Sequence, residues 1–176
     1  MNDNTLYDDD ILLWSEQQAA AIRRLGETRR YVSNELDIEN VAEEIESVGR
    51  SEVAAVESYI RLILLHLIKL LAEAGSEAAP HWRGEIVGFH ANMMGRYAPS
   101  MRQRIDIEKI WRSAREQLML AYDGAQRQRV AELSARSPFS IDDVLAERID
   151  DLALLERLRS QRDGTAAREA SAGESG

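Results

Sequence analysis

Glu39, Glu43, Glu46 and Arg50 recur three and four residues apart, so on a helix they form one charged ridge, which Glu57 extends. Carboxylates at that spacing suit two kinds of work. They can hold a hard cation, or they can dock a basic partner. Solvation is the competing use: Glu46 and Arg50 make an i,i+4 pair worth about 0.3–0.5 kcal/mol, and charge rows on helices mostly keep a face wet. His66 stands inside the apolar run Ile60–Leu71, where an imidazole is sensitive to whatever it faces. Glu43, Glu46 and His66 are therefore the candidate set for a metal held between helices. Glu39, Glu43, Glu46 and Arg50 are the candidate interaction surface.

Other chemistry has less footing. His81 and His90 lie on opposite sides of an ideal helix, although His81 shares a face with Glu85. Neither Glu-x-x-His nor His-x-x-x-His occurs, against a ferritin-like or zincin-like site. No cysteine, Gly-x-Ser-x-Gly or phosphate-binding glycine loop is present, so no catalysis and no cofactor are expected.

The elements that position these residues are helical. Leu36-Asp37-Ile38-Glu39-Asn40-Val41 reads as a helix start, with Asp37 as cap and Glu39 in the first turn. Ile38, Val41, Ile45 and Val48 form its apolar face, and Ile60–Leu71 is apolar on nearly every side, as a helix enclosed by others must be. One long central helix over about 37–73 is expected, bent if anywhere at Gly49. Arg61, His66 and Lys69 and the shortness of the run exclude a membrane span.

Around it, Tyr7 to Leu25 reads as a first helix with Asp8, Asp9 and Asp10 in its opening turn and Gly26 as its stop. Glu27 to Glu35 reads either as a short turn about Tyr31 and Val32 or as a loop. Gly75 and Pro80 separate the central helix from one bearing Trp82, Ile86, Phe89 and Met93. A long helix from Ser100 carries the stripe Ile107, Ile110, Trp111, Ala114, Leu118, Ala121, Tyr122 and Ala125 toward Leu133. Ser140-Ile141-Asp142-Asp143 is a capping-box start, after which Val144, Leu145, Ile149, Leu152, Leu155 and Leu158 face the bundle or a second subunit.

The expected architecture is an all-α bundle of about four to five helices in one domain, residues 5–162. Its last part, 137–162, is a capped helix, and 163–176 form a disordered tail without core-forming groups. The net charge of -9 is uneven. Residues 1–50 carry twelve acids against five bases, and 100–136 eight bases against five acids. An acidic chain disfavours nucleic acid, whereas such asymmetry can steer a protein partner. The acidic N-terminus is no signal peptide, and without cysteines a cytoplasmic protein is expected.

The segment order resembles the bacterial domain-of-unknown-function-29 family. The likeness rests on Tyr7-Asp8-Asp9-Asp10 with Trp14, on Leu36 through Ser51, on Leu64-Leu65-His66-Leu67-Ile68-Lys69, on Trp82, and on Pro138-Phe139-Ser140. It departs at Leu70, where an aromatic residue is common in similar proteins, and in continuing past Ile149. The resemblance implies a helical bundle without implying a reaction. The expected function is a protein-interaction or regulatory module, with homo-oligomerisation through the last helix as a possibility. The alternative is a metal-binding bundle.

Overall fold

The computed structural model describes residues 3–28 and 36–173, with side chains at 6–27 and 36–162. Tyr31 and Val32, and with them most of the segment read as turn or loop, lie outside the described residues. The architecture is all-α. In chain order come α1 (Asp3–Asp9), α2 (Ile11–Thr28), α3 (Ile38–Ala72), α4 (Ala79–Met94), a 3-10 turn (Pro99–Gln103), α5 (Ile107–Ala121), α6 (Gly124–Ala131), α7 (Ile141–Val144) and α8 (Asp151–Gly173), without a strand among the described residues. Five of these helices have 15 residues or more. No described helix is long and apolar enough to cross a membrane.

The central helix is α3, and it passes Gly49 without a break. Asp37 caps it as the sequence requires, its Oδ1 accepting from the Asn40 backbone N–H at 3.2 Å. The chain divides into two compact units: Met1–Val56 with Arg96–Ile105, and Glu57–Gly95 with Asp106–Gly176.

In the first unit, α1 and α2 replace the single helix expected from Tyr7. Asp10 makes the break. Its carboxylate accepts from Leu13 N–H (3.0 Å), capping α2, and from Ser100 through the backbone N–H (3.2 Å) and hydroxyl (2.6 Å). Burying an acid at 8% exposure is tolerable when each oxygen is so occupied. Leu12, Ala19, Ala42, Val56, Ala98, Met101 and Ile105 are buried apolar residues of this unit.

The second unit holds the larger core, with Ile60, Ile63, Leu64, Leu67 and Ile68 of α3 fully buried together with Ile86, Met93 and Trp111. Each such side chain contributes about 1.5–3 kcal/mol. Gly75, at φ +84°, ends α3 in the left-handed backbone that glycine adopts freely, and Arg129 donates to the terminal Ala72 carbonyl at 2.6 Å.

The helix expected from Ser100 to Leu133 is three pieces: the 3-10 turn, α5 and α6. Asp106 caps α5 by accepting from Lys109 N–H at 3.0 Å, and Gly124, at φ +51°, follows the turn at Tyr122 and Asp123. Ala121 and Ala125 are therefore exposed, and the buried stripe stops at Leu118 before Val130 and Leu133 resume it. The helix expected from Ser140 is likewise divided. The capping box of Ser140 and Asp143 starts α7, which is one turn long, and Asp150 caps α8 by accepting from Ala153 N–H at 3.0 Å. Of the stripe expected to face the bundle or a second subunit, Val144, Leu155 and Leu158 are buried, Leu145 and Ile149 half-buried and Leu152 exposed, and Leu154 is buried beside them. Past Arg162, where the helix was expected to yield to a disordered tail, α8 stays helical to Gly173.

Candidate functional site

The candidate interaction residues all lie on the first half of α3, in the first unit. Gly49 sets the approach of α2 to this half: a Cβ there would stand 3.2 Å from Leu12 Cα and 2.9 Å from Leu12 Cδ1, and would overlap Ser15 Oγ. Ser15, wholly buried, meanwhile donates to the Leu12 carbonyl at 2.8 Å. With the two helices this close, Arg23 of α2 reaches the ridge. Its guanidinium grips Glu46 through both oxygens (2.5 and 3.2 Å), bonds Glu39 at 3.0 Å and lies 3.9 Å from Glu43. Arg50 adds a 2.6 Å bond to Glu43 and stands 3.7 Å from Glu46.

These contacts shift protonation in matching directions. The hydrogen bond from Arg23 holds the Glu46 carboxyl below the usual carboxylate range despite some desolvation. The bonds to Glu46 and then Glu39 hold Arg23 above the ordinary guanidinium value. Three carboxylates and two guanidiniums thus form a nearly neutral lattice, where the sequence alone presents an acidic row. Arg23 was the missing member. It stands 16 residues before Glu39, and its sequence context fits a helix-end charge equally well, so only the packing of α2 on α3 reveals it.

Beside this lattice opens a cavity of about 500 Å³ lined by Leu12 and Glu16 of α2, Glu46, Arg50 and Val53 of α3, and Arg104. Arg104 pairs with Glu16 at 2.6 Å. Further along α3, Glu52, which interrupts the apolar stripe in the sequence, meets Arg96 through both of its oxygens (3.0 and 2.9 Å). The cavity has an apolar wall, charges of both signs and a size typical of ligand clefts, roughly 300–1,000 Å³. Its lining residues include no Ser, Thr, Cys, Lys or His.

The candidate metal set Glu43, Glu46 and His66 is divided between the two units. Glu43 and Glu46 are held by arginines in the first unit. His66 belongs to the second, where its Nδ1 faces the Leu62 carbonyl at 2.8 Å, its Nε2 faces Glu85 at 2.9 Å, and its ring meets Phe89 edge-on. Glu85 in turn stands 3.5 Å from His81, confirming that those two share a face of α4. His90 Nε2 faces the Ala146 carbonyl at 2.9 Å. Among the described residues no three His, Asp or Glu side chains are grouped so as to hold a metal ion.

No curated protein matches the chain. A crystal structure of an α-helical protein of unknown function from Rhodospirillum rubrum is similar, at 33% identity and a TM-score of 0.76, the match covering 86% of this chain and 96% of that one. Residues 6–149 match the family described as Domain of unknown function DUF29. That match takes in α2 through α7 and every residue of the charged lattice and the cavity, and by it the chain belongs to the DUF29 family.

Proposed function

We propose that the protein is a cytoplasmic, non-catalytic binding module that meets a protein partner on the charged half of α3, from Glu39 to Arg50. One observation carries the reading: Glu46 and Arg50 belong both to the salt-bridged ridge and to the wall of the cavity. A partner engaging the ridge therefore also reaches an apolar recess, and mixed polar and apolar contact is what gives an interface both orientation and affinity. Glu39 and Glu43 are 73% and 56% exposed, so they present charge outward while Arg23 fixes their geometry. The acid-rich first fifty residues favour a basic partner, whose encounter the field would accelerate.

The test is crosslinking from cell extract with the wild-type chain and with charge reversals. Glu39→Lys with Glu43→Lys spares the bidentate Arg23–Glu46 pair and should keep the fold by circular dichroism while losing the partner. Glu43→Lys with Glu46→Lys should lose it as well. Retention of every captured protein by both variants would rule the surface out.

A further inference from the structure

We infer that the cavity of the first unit admits a second, small ligand: a short zwitterionic peptide with an apolar side chain, its carboxylate toward Arg50 and Arg104 and its ammonium toward Glu16 and Glu46. The inference rests on the binding-module reading for the non-catalytic use of this site, and it names a different occupant. Charge is the first argument. The four ionic wall residues are two acids and two bases, so a guest of one sign would meet as many like charges as opposite ones, and a like charge brought close costs rather than gains. A zwitterion answers both.

Availability is the second argument. Arg50 and Arg104 are 53% and 60% exposed, and the bond from Arg104 to Glu16 uses one Nη of a guanidinium that carries five N–H donors. Glu16 is 42% exposed and its bond to Arg104 involves Oε1. The existing pairs orient these groups, and the exposure of Arg50, Arg104 and Glu16 keeps them within reach of a guest in the recess they line; Glu46, held by Arg23 through both oxygens, adds its charge. Leu12 and Val53 supply the apolar wall for a side chain, and a volume of about 500 Å³ admits a guest of several residues.

The probe is the tripeptide Ala-Leu-Ala with free ends, titrated into the isotope-labelled full chain while backbone amide resonances are followed. Saturable shifts at Leu12, Glu16, Arg50, Val53 and Arg104 are expected. Amidating the C-terminus and acetylating the N-terminus should each weaken binding about tenfold, the worth of one charge-assisted bond. Arg104→Gln should weaken the free acid and leave the amide unchanged, a difference that general damage to the fold would not produce. Val53→Phe, which fills the recess, should abolish the shifts. Absence of saturable shifts at millimolar peptide, or equal binding of the doubly blocked peptide, would overturn the inference. Either result leaves the crosslinking outcome for the protein partner untouched, so the two readings fail separately.

Discussion

Gly49 shows how one side chain's absence organises a site. Ala in a helix interior is ordinarily favoured over Gly by about 1 kcal/mol, so Gly49→Ala would stabilise an isolated α3. Here the added methyl meets Leu12 Cα at 3.2 Å and Ser15 Oγ inside contact distance, and neither backbone nor a buried hydroxyl can give way cheaply. The expected outcome is a net loss of about 1–3 kcal/mol in urea unfolding, together with weakened Arg23 pairing as α2 is pushed off α3. Equal or greater stability of the variant would show that the helices are not held at this distance. Glu46 carries a second prediction at the same scale. Its folded pKa lies below the ordinary value because Arg23 hydrogen-bonds the charged form. The stability it contributes is therefore present above the ordinary carboxylate range and is lost as pH falls through the lowered folded value. Thermal unfolding of the wild type should decline more steeply on acidification from about pH 5 than that of Glu46→Gln, whose side chain does not titrate.

Helix boundaries follow from residues three apart wherever the capping is local, and those were legible in the sequence. Asp37 before α3, and Ser140 with Asp143 before α7, need no knowledge of the rest of the fold. Ser140→Ala should cost about 0.5–2 kcal/mol by chemical denaturation, since it removes the acceptor for Asp143 N–H and a bond to the Asp143 carboxylate that Arg157 also holds. Loss of nothing measurable would mean that α7 is fixed by its packing alone. Other breaks were hidden for a physical reason. Asp8, Asp9 and Asp10 all suit a first turn, and which of them caps is decided by Ser100, ninety residues away. The turn at Tyr122 and Asp123 interrupts a stripe whose periodicity continues unbroken in the sequence, because Tyr122 instead turns its hydroxyl to Glu73. The cavity was hidden likewise: the ridge of α3 is written in one stretch, but Glu16, Arg23 and Arg104 join it only through the packing of α2 and the segment after the 3-10 turn.

At the scale of the whole molecule, the question is whether two compact units behave as one cooperative domain over residues 5–162, and we propose that they do. The connection between Val56 and Glu57 is no linker. It lies inside α3, whose backbone hydrogen bonds run from Ile38 to Ala72 without a glycine-rich or proline-containing interruption. Helical structure propagates cheaply and nucleates expensively, so melting one half of α3 exposes unsatisfied carbonyls or amides at a new terminus of the other half. Leu158, fully buried in the second unit, tests this together with Gly49 in the first. Leu158→Ala should cost about 2–5 kcal/mol. In calorimetry the wild type and both single variants should each give one transition, with the van't Hoff and calorimetric enthalpies equal, and the midpoint should move whichever unit is altered. Two transitions, of which only the altered unit's shifts, would make the units independent folding domains joined by a helix that each can melt alone.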